Sequence, residues 1–202
     1  MALPKLDVPT YDLELPLSKK KIKFRPFLVK EQKNLLMAME AGDKKSIETN
    51  VKQVLQNCTL TSRVNIEKLP VVDIEYYFLQ LRARSVGEIV ENKYRCDNQI
   101  DDGEGGTKTC GNTMESSLNL LDIKVSNTKG ISDEIQLTDK ISIKMKYPEF
   151  SILSKLSEIK NVTDVAFEMI AQSIEHIYDG EQFYYAKETP KKELLEFIES
   201  LS

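Results

Sequence analysis

Apolar and polar positions alternate in two short stretches at the start of the chain. Tyr11, Leu13 and Leu15 share one parity, and Ile22 and Phe24 alternate after the intervening lysines, the period of half-buried β structure. This predicts an N-terminal β-hairpin. From Val29 the period lengthens. Leu35, Leu36 and Met39, then Ile47, Val51, Val54, Leu55 and Cys58, recur at helical spacing, with Gly42 and Asp43 dividing them into two helices. Pro70 opens a third helix, whose stripe of Val71, Ile74, Phe78 and Leu81 runs on to a stop at Gly87.

Beyond Gly87 the alternation returns. Val90, Asn92, Tyr94 and Cys96 share one parity, as do Cys110, Asn112, Met114, Ser116, Leu118 and Leu120, which predicts a hairpin with a long tip. The parity switches after Leu121, at Ile123 and Val125, and marks a bulge or a strand end. A second β pair follows in "EIQLTDKISIKMKYP", where Ile141, Ile143, Met145 and Tyr147 alternate. The remainder reads as helical. Phe150, Leu153 and Leu156 form a short stripe. Ala166, Ile170, Ile174 and Ile177 form a longer one, capped by Asn161 and terminated by Gly180. Thr189 and Pro190 then start a last helix with Leu194, Leu195, Ile198 and Leu201 on its apolar face and no stop signal after it.

The expected fold is therefore α+β: an N-terminal β-hairpin, helices, a central antiparallel β region with a long cysteine-bearing hairpin, and a helical C-terminal third. It is arranged over residues 1–202 as one domain or as two subdomains, 1–130 and 131–202.

With 41% hydrophobic and 30% charged residues, a chain of 202 residues can bury a core without staples. Its net charge of −4 gives no concentrated basic face, so no nucleic-acid partner is expected. Lys19, Lys20, Lys21 and Lys23 read as the solvated edge of the first hairpin. No apolar run approaches the ~18 to 20 residues that span a bilayer, and the start lacks the apolar core of a signal peptide, so no membrane partner is expected and the cytosol is the expected compartment. Thiols stay reduced there, which argues against a structural disulfide among Cys58, Cys96 and Cys110. Cys58, on an apolar helix face, reads as core packing.

The search for chemistry yields little. The single histidine, His176, has no nucleophile or orienting partner at useful spacing, and no phosphate-loop, dinucleotide or H-E-x-x-H motif is present. No catalytic residues and no cofactor are expected, and the chain reads as a non-enzyme. "DGEGG", with Asp101, Asp102 and Glu104 nearby, lacks the carboxylate spacing of a calcium loop and reads as a hairpin tip. Asp73 and Glu75 are two residues apart on a helix and do not share a face. The metal candidate is Cys96 with Cys110, at the inner ends of two predicted strands, which supplies at most half of a tetrahedral zinc site. Cys58 and His176, or ligands from another chain, would have to complete it. A zinc-dependent binding module using Cys96 and Cys110 is accordingly the alternative reading.

The opening "MALPKLDVPTYDLELPLSKKKIKFRPFLVKEQKNLLMAME", the segment "LRARSVGEIV", the Cys96 and Cys110 hairpin, "ISIKMKYP" and "AFEMIAQSIEHIYDGEQFYYAKETPKKELLEFIES" together resemble the T4-type bacteriophage baseplate family, whose members belong to the tail baseplate hub and its assembly. The resemblance implies a non-enzymatic protein of phage tail morphogenesis, either a hub subunit or a chaperone-like assembly factor absent from the finished particle. It implies other baseplate hub and tail assembly proteins as partners, acting in the host cytoplasm during assembly or in the virion tail baseplate; it leaves the oligomeric state open. Relatives of this kind carry a compact cysteine knuckle where this chain has "DNQIDDGEGGTKT", a departure that weakens any zinc carry-over. They also continue beyond the equivalent of "EFIESLS", which implies a shortened product whose final helix is covered by a second polypeptide. The residues expected to meet partners are Phe183, Tyr184 and Tyr185, with Leu194, Leu195, Ile198 and Leu201.

Overall fold

In the computed structural model of the chain, which describes residues 7–103, 105–126 and 132–201, the first alternating stretches form a hairpin. Strand β1 (Tyr11–Glu14) pairs antiparallel with β2 (Lys21–Phe24), Leu13 opposite Ile22 and Tyr11 opposite Phe24. Lys21 and Lys23 project to solvent, whereas Ile22 and Phe24 are buried. The outer edge of β2 is covered rather than free. The Leu60 N–H donates to the Lys23 carbonyl at 2.7 Å, and the Arg25 N–H to the Cys58 carbonyl at 3.0 Å.

Helices α1 (Val29–Ala41) and α2 (Lys44–Cys58) break where the sequence predicts. Gly42 takes φ 67°, a left-handed conformation costly for other residues, and the Asp43 carboxylate caps α2 by accepting from the Ser46 N–H at 2.9 Å. Helix α3 (Val71–Val86) follows Pro70. Its Asp73, fully buried in the first turn, accepts from the N–H groups of Leu17 at 2.8 Å and Ser18 at 2.9 Å, which ties the β1–β2 turn to the helix. Tyr77 packs edge-on against Phe24, ring centroids 5.4 Å apart, and its hydroxyl meets that of Thr59 at 3.0 Å. These residues, with Leu55, Leu69 and Leu81, form the first hydrophobic cluster.

After Gly87 the chain leaves the core as an arm. Among the described residues strands β3 (Ile89–Arg95) and β6 (Thr113–Asn119) pair only with each other, as do the tip strands β4 (Gln99–Asp101) and β5 (Thr107–Thr109). Leu120, at the foot of the arm, is buried again.

Strands β7 (Glu134–Gln136) and β8 (Ser142–Met145) begin a four-stranded sheet. The chain next crosses back to the first cluster: Phe150 is buried there, the Phe150 N–H donates to the Leu69 carbonyl at 2.8 Å, and the Val71 N–H donates to the Pro148 carbonyl at 3.0 Å. The subdomain boundary expected near residue 130 lies outside the described residues. Helices α4 (Ile152–Leu156) and α5 (Val162–Ser173) follow, with the Asn161 side chain accepting from the Thr163 N–H to cap α5.

The expected helical C-terminal third is overturned at this point. Helix α5 ends at Ser173, and Ile174–Tyr178 is strand β9, which pairs with β8 and with β10 (Phe183–Tyr185) in the all-antiparallel order β10-β9-β8-β7. The final helix α6 (Lys191–Glu199) is real but short, and it packs on this sheet.

A β-bulge accounts for the difference. His176 opposes Lys144 while Ile174 opposes Met145, so Glu175 is an extra residue in β9. The bulge puts Ile174 and Ile177 on the same face although they are three apart, a spacing that mimics a helix. Gly180, at φ 95°, turns the β9–β10 hairpin instead of ending a helix.

Candidate functional site

Side chains alternate across a strand, so the sheet divides its residues between two faces. Ile143, Ile174 and Ile177 point to the core, where Ala171 of α5 and Leu194 and Ile198 of α6 cover them. A buried carboxylate joins these two helices: Glu168 accepts from Lys191 at 2.7 Å and from Gln172 at 3.2 Å. Burial alone would push this carboxyl up; those contacts outweigh it and hold it below the ordinary range.

The opposite face holds an aromatic cluster. In register, Phe183 lies opposite Tyr178 and Tyr185 opposite His176. The Tyr178 and Phe183 ring centroids are 4.7 Å apart; those of His176 and Phe183 are 5.0 Å apart, edge to face; those of His176 and Tyr185 are 5.6 Å apart. Stacking of this kind holds the rings in fixed relative positions and forms an apolar platform. Among the described residues no helix covers it: Phe183 is 55% and Tyr185 48% exposed. The His176 Nδ1 is buried beneath the rings with no hydrogen-bond partner among the described residues. At the edge Lys144 meets Asp133 at 2.7 Å, a hydrogen bond that lowers the Asp133 pKa and raises that of Lys144.

Of the residues expected to meet partners, Phe183 and Tyr185 therefore share the platform. Tyr184 faces the other way, and its hydroxyl donates to Asp179 Oδ2 at 2.8 Å. Leu194 and Ile198 lie in the protein's own core, Leu195 is half-buried and Leu201 is exposed. His176 and Tyr178 complete the platform and were absent from the expected set. A signal for them exists in "HIYDGEQFYY": His176 and Tyr178, then Phe183 and Tyr185, alternate about an Asp-Gly pair, the mark of a hairpin.

At the neck of the arm the Cys96 N–H donates to the Asn112 carbonyl at 2.8 Å, the Cys110 N–H to the Asn98 carbonyl at 2.8 Å, and the Gly111 N–H to the Cys96 carbonyl at 3.0 Å. Both thiols are free and half-buried. A zinc centre needs four ligands, and among the described residues no group of three or more His, Cys, Asp or Glu is placed to hold a metal. Cys58 lies in the first core, where burial pushes its thiol up to about 11, and His176 lies on the sheet. Among the described residues the neck thus offers two thiol donors, half of a tetrahedral set. At the arm tip the Gly103 N–H donates to Asp101 Oδ1 at 2.7 Å and the Gly106 N–H to Asp102 Oδ1 at 2.9 Å, so these carboxylates serve the turn; Glu104 lies outside the described residues.

Two further apolar surfaces are exposed. The arm aligns Val90 with Leu118 and Tyr94 with Met114 on one face, while Lys93 and Glu115 pair at 2.7 Å on the other. Helix α1 presents Val29, Leu36, Met37 and Met39 to solvent. Among the described residues no helix is long and apolar enough to cross a membrane.

The family model for T4 bacteriophage base plate protein matches residues 8–202. No match was found among curated proteins or among solved structures.

Proposed function

Because the chain belongs to the T4 bacteriophage base plate protein family, we propose that it takes part in building the central hub of the phage tail baseplate through protein–protein contacts and without catalysis. Membership carries a structural or assembly role in the baseplate and contact with other baseplate proteins. The hub role, as a subunit or as an assembly factor, is the finer reading.

The observation that supports a contact role is the uncovered aromatic platform of Tyr178, Phe183, Tyr185 and His176. Large rings held rigid by their neighbours lose little side-chain freedom on binding, which is why Tyr and other aromatics are enriched where interfaces concentrate their energy. An exposed cluster of this kind is hydrophobic surface that a partner removes from water, at roughly 25 cal/mol per Å² of apolar area.

Native mass spectrometry of the full chain, alone and co-expressed with the other baseplate hub proteins, tests the reading. The expected result is a defined complex with a hub protein that is lost when Phe183→Ala and Tyr185→Ala are combined. Failure to bind any hub protein, or complexes indifferent to both substitutions, would overturn it.

A further inference from the structure

Another apolar surface, sharing no residue with the platform, borders the first hydrophobic cluster at Val51, Phe150 and Leu153. Helices α2, α4 and α5 enclose an open groove of 640 Å³. Ile47 and Val51 line it from α2, Leu153 and Leu156 from α4, and Val162 and Val165 from α5. Val162 is 83% exposed there, although an apolar side chain at the first helical position could have been polar at no cost to the fold.

The lining decides what kind of guest fits. A small-molecule site encloses its guest around a few convergent polar groups, whereas this trough is open to solvent and eight of its twelve lining residues are apolar. An open trough lined by aliphatic side chains suits the apolar stripe of a helix. The rim decides the charge. Lys44 and Lys160 both border the groove, and neither has an ion-pair partner among the described residues. Lys45, adjacent in sequence, is already held by Glu158 at 3.1 Å. Glu48 stands in the wall, with Lys52 and Lys45 the cations that act on it.

A second copy of this chain is a poor occupant. Leu194 and Ile198 of its α6 are buried in its own core, and its exposed α1 face sets both Lys33 and Glu40 around Leu36 and Met37, so it lacks the acidic flank that the two rim lysines call for.

We propose that this groove docks an amphipathic helix of a partner protein, with aliphatic residues of that helix between α2, α4 and α5 and acidic residues on its flank against Lys44 and Lys160. This goes beyond the hub reading and stands apart from the aromatic platform.

The probes are two synthetic peptides of about 18 residues, long enough to hold a helix: a Leu/Ile stripe flanked by Glu, and the same stripe flanked by Lys. Each is titrated against the full chain by fluorescence anisotropy. The Glu peptide is expected to bind and the Lys peptide to bind at least about tenfold more weakly, because like charges oppose each other at the rim. Combining Lys44→Glu with Lys160→Glu should reverse that order, and Val162→Asp, at an exposed position where circular dichroism should stay unchanged, should weaken both. Phe183→Ala should leave peptide binding intact, which separates this test from that of the platform. Equal binding of the two peptides, no binding of either, or binding indifferent to the groove substitutions would overturn the proposal. So would self-association in sedimentation that Val162→Asp abolishes, since that result assigns the groove to a second copy.

Discussion

Glu31 is 2% exposed, and each of its oxygens has a partner: Oε1 accepts from Arg25 at 3.0 Å and Oε2 from the Leu28 N–H at 2.7 Å, at the start of α1. Burial alone would raise its pKa; the Arg25 hydrogen bond, the Leu28 N–H and the charges of Arg25 and Lys30 outweigh it and hold it below the ordinary 4.5. The folded state therefore binds fewer protons than the unfolded chain, and the stability this group adds is present above that ordinary value and lost as pH falls through the lowered one. Glu168 acts with the same sign. Replacing Glu31 by Gln should cost about 2–3 kcal/mol at pH 7, since a buried charged hydrogen-bond acceptor is removed while Arg25 stays. Thermal melts from pH 7 to pH 3 should show the gap between wild type and Glu31→Gln closing as the wild-type carboxylate protonates; a constant gap would show that the charge contributes nothing. The cysteines give a second test at this scale. Cys58 is fully buried with its thiol pushed up to about 11, whereas Cys96 and Cys110 are half-buried at the arm neck. Native titration with a thiol reagent at pH 8 should find Cys96 and Cys110 reactive and Cys58 silent until the protein unfolds, and three thiols reacting at one rate would contradict that placement.

Among the elements, those with a strong local signal were legible in the sequence. Gly42 and Asp43 marked the α1–α2 break, Asn161 the start of α5 and Pro190 the start of α6, because caps and turns depend on residues a few positions apart. Strand β9 was masked, because the bulge at Glu175 places two isoleucines at helical spacing and hides the aromatic alternation about Asp179 and Gly180. Inserting one alanine between His176 and Ile177 should put Ile174 and Ile177 on opposite faces and destabilise the protein by more than about 2 kcal/mol in denaturant titration. An insertion that leaves the midpoint unchanged would mean that this register is not fixed. The arm makes the opposite case. Beyond the Arg95–Thr113 pair its strands, among the described residues, bond only to each other. Replacing 96–112 with an Asn-Gly turn should move the melting temperature by less than about 4 °C, the equivalent of 1 kcal/mol. A larger fall would show that the tip supports the core.

For the molecule as a whole, what the sequence hides is long-range. Phe150 and Leu153 leave the sheet region to pack with Phe24 and Tyr77, so the first core borrows from the second half of the chain. Neither an open sheet face nor a groove between helices can be read from periodicity, since both depend on what fails to be covered. The alternation in "HIYDGEQFYY" is compatible with a hairpin, and the sheet register sets Phe183 and Tyr185 opposite Tyr178 and His176. The claim that follows is that a folded baseplate protein uses this platform to join its partners. The most direct measurement replaces the gene in a phage with one encoding Phe183→Ala and Tyr185→Ala and counts completed baseplates by electron microscopy, alongside the melting temperature of the purified variant. The account predicts that completed baseplates fall sharply while the melting temperature stays near that of the wild type, because both rings are half exposed. Normal baseplates from the double variant would contradict it.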